Sequence, residues 1–408
     1  MKKRVLVSIA LVMTLSVMFG PSPAAAEEPI KLGFVYIMSG PFAAYGEFAK
    51  QGAELAIDEV NKAGGINGRK VEGYFEDTTG KPDVALRVIR KLVFQDKVDC
   101  VIGLDSSGVA KTVGPAMVQL KTPLIITHAA TPDVTGSLCN KYVFRISVNI
   151  AQNIKAASLL AADTGVKKWT TIGPDYAFGH QSWEFFEKDL KELKPDVAFA
   201  SKEDGVFSPI KTTDFGPYIT KLMQSDADGV LVSLWGGNLI DFVRQASEMG
   251  VFSGKYTVLC TLGAATEVLT ALDDKMPEGL WVGTRYWFLA NDSEMNKSFV
   301  KTFKARFDAY PSYNAQGAYG AVYTFKKAAE KAKSTDKDAV IKALENLTIE
   351  LPVGTITIRA GDHQAVTDVC WGKTAADPAY PIRILKPFRV FKGSEVTPPV
   401  ADTGCTLK

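Results

Sequence analysis

The sequence predicts an α/β fold with two lobes, each a parallel β-sheet covered by helices. From Lys31 onward, short apolar runs rich in β-branched residues alternate with amphipathic helical segments, which is the pattern of βα units. The chain has 408 residues, and the part that follows a predicted leader (residues 1–26) is too long for one compact core but suits two lobes. The alternation runs in two successive series without a low-complexity linker, so we expect the chain to cross between the lobes more than once.

The first series contains five predicted strands with helices between them. Its first helix ends at Gly64-Gly65, and Asn67-Gly68 then supplies a left-handed turn into the second strand. Pro82 opens the second helix at a first-turn position, where its missing N–H has no partner to lose. Strands are expected at 31–37, 70–77, 98–104, 123–127 and 142–147, and helices at 47–63, at 82–96 and after Ser107.

The second series repeats this architecture without repeating the sequence. Strands are expected at 169–173, 197–202, 229–234, 256–260 and 279–287, and helices at 151–164, 180–193, 214–225 and 238–249. Helices at 314–331 and 337–347 precede a tail of extended segments.

Residues 1–26 are predicted to be an export signal. Lys2, Lys3 and Arg4 precede an apolar run over 5–19, and small residues lead to an expected cleavage after Ala26. No later stretch approaches about 18 uninterrupted apolar residues, and no Cys follows the leader closely enough for a lipid anchor. We therefore expect an exported protein that is not inserted in a membrane.

Charge and composition exclude several classes of partner. The formal net charge is +2, and loss of the three basic residues in the leader brings it to about −1. A chain so close to neutral has no signature of a nucleic-acid or anionic-membrane surface, so neither partner is expected.

The five cysteines, Cys100, Cys139, Cys260, Cys370 and Cys405, allow at most two disulfides and leave one thiol. A bridge between Cys370 and Cys405 is favoured, because both lie in a C-terminal tail with little other regular structure. Cys100, at the end of an apolar strand, is expected to be a buried thiol.

Polar residues follow the third and fourth predicted strands, as DSSG (105–108) and THAATPD (127–133). In open α/β sheets, ligands bind beyond the carboxyl ends of the strands. A helix that follows Ser106 and Ser107 presents free N–H groups beside hydroxyls, which suits a small anion such as a carboxylate. The alternative is that one of the two serines only caps its own helix.

From Lys31 to about Leu347 the chain resembles the periplasmic binding proteins of the leucine/isoleucine/valine class, the receptors of ATP-driven importers. The resemblance rests on ordered motifs: MSGPFAAYG (38–46), GAELAIDEVNKAGGINGRKVE (52–72), VIGLDSSG (101–108), ITHAATPDVTG (126–136), PDYAFG (174–179) and VSLWGGN (232–238).

This resemblance implies a type I periplasmic binding protein, in which two Rossmann-like lobes are joined by a three-crossover hinge and close over the ligand. We place the crossovers near residues 148, 281 and 350. Lobe 1 is then 27–148 plus 281–349, and lobe 2 is 149–280 plus 350–408. The partners implied are a small-molecule ligand and the permease and ATPase subunits of an inner-membrane ABC importer, with the receptor itself a monomer.

The resemblance also assigns candidate ligand-binding residues by position. Ser107, or its neighbour Ser106, and Thr131 match hydroxyls that hold a ligand carboxylate, and Ala129 matches a carbonyl contact. The positions that match the walls of the pocket are Tyr45, Tyr176, Phe178 and Trp235. Ordinary core packing is the alternative for these aromatic residues, but Tyr45, Phe178 and Trp235 each stand beside a glycine after a strand has ended.

The sequence departs from the family pattern at one position. Amino-acid binders of the family use an acidic residue in the second lobe to pair with the ligand's ammonium, and the matching position here is Leu262. An unpaired buried ammonium costs several kcal/mol, so we favour a carboxylate with an apolar or aromatic body and no α-amino group. Asp105, Asp175 and Glu203 are possible substitutes for the missing acid. Binding of branched-chain or other hydrophobic amino acids remains the alternative.

The tail segment IRAGDHQAV (358–366) brings Arg359, Asp362 and His363 together near the third crossover. A salt-bridged turn that fastens the tail to the hinge is favoured over a second polar contact to the ligand.

The sequence gives less support to two other classes of function. Catalysis is not expected, because the three histidines are far apart and neither a zinc-binding spacing nor a nucleophile, Walker or dinucleotide motif is present; we expect no metal or cofactor. GGING (64–68) follows a helix and precedes a strand, the reverse of a dinucleotide site. A ligand sensor that presents its closed form to a separate signalling partner is the remaining alternative.

Overall fold

The computed structural model describes residues 28–201 and 203–407. Its strands, in chain order β1 to β16, are Ile30–Tyr36, Val71–Asp77, Cys100–Gly103, Leu124–Ile126, Val143–Arg145, Lys168–Pro174, Ala198–Phe199, Val206–Ser208, Gly229–Val232, Thr257–Cys260, Trp281–Thr284, Thr348–Leu351, Gly354–Ile358, Ala365–Val366, Val369–Ala375 and Ile384–Phe391. The helices α1 to α12 are Ala43–Lys62, Pro82–Lys91, Ser107–Leu120, Ile150–Ala162, Ala177–Leu193, Gly216–Met223, Gly236–Glu248, Thr266–Leu272, Glu294–Phe307, Tyr313–Ala332, Lys337–Leu344 and Gly393–Val396. The predicted export signal lies outside the described residues.

Two sheets define the two lobes. The first has the order β2-β1-β3-β4-β5, and all its strands are parallel. The second has the order β16-β15-β11-β10-β9-β6-β7, with β8 also pairing with β6. Its strands β6 to β11 are parallel, and β15 and β16 extend it in antiparallel fashion. The predicted two-lobed α/β fold is confirmed.

The first lobe is completed by helices from late in the chain. Helix α10 packs along α1, and Gly52 lets them approach, because a Cβ there would lie 2.1 Å from the carbonyl oxygen of Ala315. The alanine-rich inner face of α1, with Ala49, Ala53 and Ala56 fully buried, keeps this contact close.

The chain crosses between the lobes around β5, around β11 and through the small antiparallel sheet β12-β13-β14. The predicted boundary at residue 281 falls at the start of β11, which pairs within the second sheet, so the second crossing follows Thr284. The third crossing touches the first lobe through an isolated bridge between Arg145 and Gln364.

The disulfide prediction was wrong. Cys405 pairs with Cys139, and Cys370 is a free, buried thiol in β15. The cause is the path of the tail, which leaves the second sheet and runs back to the first lobe. Cys100 is a buried thiol, as predicted.

The tail segment 358–366 forms the salt-bridged turn that was favoured. Arg359 donates to Asp362, with Nε to Oδ1 at 3.0 Å, and to the carbonyl of Pro398 at 2.7 Å. His363 stacks on Phe144, with ring centroids 3.9 Å apart. These contacts fasten the tail to the hinge.

Among the described residues, none of the helices combines the length and the apolar composition that a bilayer crossing needs. The same residues contain no group of three or more His, Cys, Asp or Glu side chains that could hold a metal ion.

Candidate ligand-binding site

A small cavity lies between the lobes, at the carboxyl ends of the strands of both sheets. It is lined by Tyr45, Asp105, Ser107, His128, Ala130, Tyr176, Phe178, Trp235, Leu262, Arg285 and Tyr313. A concave site at the carboxyl ends of parallel strands is the usual place for a small ligand in an α/β protein.

Several helices direct their N-termini at the cavity. Ser107 is the first residue of α3 and Tyr313 the first of α10, while Tyr176 and Trp235 are the N-caps of α5 and α7. No side chain caps α3, α5 or α7 among the described residues. Free N–H groups and the positive ends of the helix dipoles therefore favour a negatively charged ligand group.

The structure brings together most of the predicted site residues. Those that line the cavity are Tyr45, Ser107, Tyr176, Phe178, Trp235 and Leu262. The Oγ of Ser107 accepts a hydrogen bond from the Thr131 N–H at 3.1 Å, so its own proton is available to a ligand.

Three predicted residues lie behind the lining. Ser106 is the buried N-cap of α3. The Thr131 hydroxyl accepts from the Asp133 N–H at 3.3 Å, and the carbonyls of Ala129 and Thr131 accept from the buried Arg145 at 3.2 and 2.6 Å. The contacts of Ala129 and Thr131 thus fix the loop that follows β4, behind the lining of the cavity.

Aromatic contacts seal the cavity across the lobe interface. The indole of Trp235, from the second lobe, stacks on Phe42 of the first, with centroids 4.0 Å apart. The Tyr45 hydroxyl accepts a hydrogen bond from the Gly236 N–H at 3.1 Å. Within the second lobe, Trp235 Nε1 donates to the Tyr176 hydroxyl at 3.0 Å. The structure is therefore a closed arrangement of the lobes.

Arg285, at the second crossing, places a buried cation in the cavity. One Nη donates to the carbonyl of His128, and the guanidinium lies 5.2 Å from the ring centroid of Tyr313. Its Nε has no hydrogen-bond partner in the described chain, and no carboxylate of that part forms an ion pair with it. Burial lowers the pKa of Arg285, although the Tyr313, Tyr45 and Tyr176 hydroxyls and the Asp105 carboxyl act in the opposite direction.

Asp105 places a buried acid in the same cavity. Its Oδ2 accepts from the Ile37 N–H at 2.6 Å, whereas Oδ1 has no partner among residues 28–201 and 203–407. The side chain is 1% exposed. Burial raises its pKa to about 7, against the lowering effect of the Ile37 hydrogen bond.

His128 separates these two groups and is neutral, because burial, with Arg285 nearby, lowers its pKa to about 3. Its Nε2 lies 3.2 Å from the carbonyl of Asn314 and therefore carries the proton. Nδ1 then accepts from the Thr127 hydroxyl at 2.7 Å, so it has no proton to offer Asp105 Oδ1, 3.6 Å away.

Glu267, in the first turn of α8, is a second buried acid near the site. Asn314 of the first lobe donates to it, so the contact crosses the lobe interface. Burial raises the pKa of Glu267 to about 7.

Arg285 and Tyr313 were not among the residues predicted for the site. Arg285 fell inside a predicted strand, 279–287, but the strand ends at Thr284. An arginine within an otherwise apolar and aromatic run is the signal that could have identified it, because a buried cation needs a partner. Asp105 was predicted only as a possible substitute for the missing acid.

Comparison with known proteins places this architecture among binding proteins. A family model described as periplasmic binding protein matches residues 29–376. The Leu/Ile/Val-binding protein homolog 4 of Brucella melitensis is 26% identical over an alignment 406 residues long, which covers 94% of this chain and 94% of that protein.

Solved structures give the same result. An amino acid ABC transporter substrate-binding protein from Pseudomonas fluorescens is 25% identical with a TM-score of 0.82, over 94% of this chain and 100% of that one. A solute-binding protein of an ABC transporter from Rhodopseudomonas palustris, in complex with 3,4-dihydroxybenzoic acid, is 25% identical with a TM-score of 0.80, over 90% and 98% of the two chains.

Proposed function

Because this chain belongs to the periplasmic binding protein family, we propose that it is the substrate-binding component of an ABC importer and captures a small organic acid, aromatic in its body, by closure of its two lobes. The family membership predicted from the sequence motifs is confirmed by the match over residues 29–376.

The unpaired guanidinium of Arg285 is the observation that carries this proposal. A buried cation without a counter-ion is costly, and a ligand carboxylate supplies the missing anion. The planar fork of arginine suits a carboxylate, and the Ser107 hydroxyl and the N-terminus of α3 offer further donors.

The rest of the lining favours an aromatic body without an ammonium group. Tyr45, Phe178, Trp235 and Tyr313 surround the cavity with ring faces and edges. Leu262 is apolar at the position where amino-acid binders resembling this chain carry an acid. The Rhodopseudomonas relative that holds 3,4-dihydroxybenzoic acid supports an aromatic ligand, whereas the name of the Brucella relative favours branched-chain amino acids.

Contacts between the two lobes support the proposed closure. Phe42 meets Trp235, Tyr45 meets Gly236, and Asn314 meets Glu267 across the interface. A ligand that touches both lobes shifts the population toward this form, whose shape a permease can distinguish from the empty receptor. In this role the protein is an exported monomer, cleaved near Ala26.

A thermal-shift screen followed by calorimetry tests the ligand class. The matched compounds are benzoate, 4-hydroxybenzoate, phenylalanine and leucine, because phenylalanine adds an ammonium to an aromatic acid. We expect the melting temperature to rise with the benzoates and not with the amino acids. Tight binding of leucine or phenylalanine with no response to aromatic acids would contradict the proposal.

A further inference from the structure

The cavity contains two buried polar atoms without partners, and the proposed function uses only one. Arg285 Nε is a donor and is matched by a ligand carboxylate. Asp105 Oδ1 is an acceptor that lines the same cavity on a side chain with 1% exposure. An unsatisfied buried acceptor costs about 1–3 kcal/mol, and more when charged.

The surroundings of Asp105 do not offer a donor from the protein. His128 Nδ1 is occupied by the Thr127 hydroxyl, which in turn accepts from the Tyr36 hydroxyl at 3.1 Å. The Ile37 N–H already bonds the other carboxylate oxygen. In the described part of the chain, the donor for Oδ1 is therefore missing.

We propose that Asp105 Oδ1 receives a hydroxyl group of the ligand, so that the site selects hydroxylated aromatic acids over the unsubstituted acid. This inference rests on the proposed function, since the carboxylate of the same ligand pairs with Arg285. It assigns Asp105 as the residue that determines specificity at the second end of the ligand.

A hydroxyl fits this position better than an ammonium. Asp105 lies two residues before the start of α3, whose N-terminus is positive, and both Asp105 and Arg285 face His128. A second cation there is repelled, whereas an uncharged donor is not. A hydroxyl also suits both protonation states of Asp105, because it donates to the carboxylate and accepts from the carboxylic acid.

A methoxyl group on the ligand can accept a hydrogen bond but cannot donate one. A methoxybenzoate therefore distinguishes the protonated form of Asp105 from the ionised form. The charged groups that act on Asp105 are Arg285 and Asp77, and the tyrosine hydroxyls of Tyr36, Tyr176 and Tyr313 face it as neutral dipoles. At pH 8 the carboxylate should reject the methoxyl compound, and at pH 5.5 the acid should tolerate it.

The experiment compares benzoate, 3- and 4-hydroxybenzoate and the corresponding methoxybenzoates by calorimetry at pH 8 and pH 5.5, on wild type and Asp105→Asn. In the variant, the amide oxygen can keep the Ile37 hydrogen bond and the amide nitrogen offers a donor to the cavity. At pH 8 we expect one hydroxybenzoate to bind wild type at least about tenfold more tightly than benzoate and its methoxy counterpart. The ratio of the affinities for the hydroxybenzoate and for its methoxy counterpart should fall below about threefold in Asp105→Asn at both pH values, and in wild type at pH 5.5.

The outcomes separate this inference from the proposed function. Equal binding of benzoate and both hydroxybenzoates overturns the role of Asp105 and leaves the carboxylate site intact. A hydroxyl preference that Asp105→Asn keeps unchanged also overturns it. Binding of leucine or phenylalanine in place of all benzoates overturns the proposed function itself.

Discussion

Replacement of Arg285 by glutamine should abolish most ligand affinity without harming the empty protein. Each hydrogen bond to a charged group contributes about 1.5–3 kcal/mol, and removing one partner of a buried ion pair costs about 3–5 kcal/mol. At 1.4 kcal/mol per factor of ten, Kd should rise by about 10²–10³-fold.

In the ligand-free protein, the same substitution should not lower the stability. In it, the Arg285 cation is buried without a bonded anion, and the nearby Asp105 carboxyl offsets only part of its desolvation, so its loss removes a net cost. The substitution also removes the donor to the His128 carbonyl, at a cost of about 1 kcal/mol. We therefore expect an unchanged or raised melting temperature without ligand.

Two further variants make the assay specific. Arg285→Lys keeps the charge but not the fork, so its affinity should lie between those of wild type and Arg285→Gln. Arg389→Gln is the matched control, because Arg389 is half exposed in β16 and only loosely paired with Asp163, at 3.8 Å. Titration calorimetry with 4-hydroxybenzoate gives each Kd. A Kd for Arg285→Gln within threefold of wild type, or a clear loss of melting temperature in the empty variant, would refute this account of Arg285.

Three other outcomes are expected. Gly237→Ala should lower ligand affinity by about tenfold in calorimetry, because the new Cβ lies 2.6 Å from the Pro41 carbonyl across the closed interface. The ligand-free variant should melt at the wild-type temperature. An unchanged affinity would show that the lobes bind ligand without this closure. Burial raises the pKa of Asp105 from 3.8 to about 7, so its contribution to stability is fully present below pH 3.8 and is lost as pH rises through about 7. Urea unfolding from pH 4 to 8 should therefore show wild type losing on the order of 4 kcal/mol relative to Asp105→Asn, and parallel profiles would contradict this. Cys405→Ser and Cys139→Ser should each lower the free energy of unfolding by about 2–4 kcal/mol, since either breaks the same bridge; a normal melting curve for either would argue against a bridge that restrains the tail.

The alternation of strands and helices was predictable because it follows from local periodicity. The strand ends at Asp105 and Thr127, and with them the Ser107 loop, could be located for the same reason. Periodicity does not tell where a strand leaves its sheet, and Arg285 was therefore assigned to a strand that ends one residue before it.

Other features depended on contacts between distant parts of the chain. Helix α9, over residues 294–307, is strongly polar on its outer side and has only Asn296, Phe299 and Phe303 buried, so no prediction was made for it. The Cys139–Cys405 bridge spans 266 residues and depends on a tail path that no local pattern indicates. The unpaired atoms Arg285 Nε and Asp105 Oδ1 could likewise be identified only from the folded structure, in which the two lobes meet.

A crystal structure of the wild-type protein with a bound hydroxybenzoate tests the central claim most directly. We expect the ligand to lie enclosed between the lobes, with its carboxylate bound to Arg285 Nε and the Ser107 hydroxyl and its ring hydroxyl bound to Asp105 Oδ1. A complex in which the carboxylate binds elsewhere and Arg285 Nε still lacks a partner would contradict it.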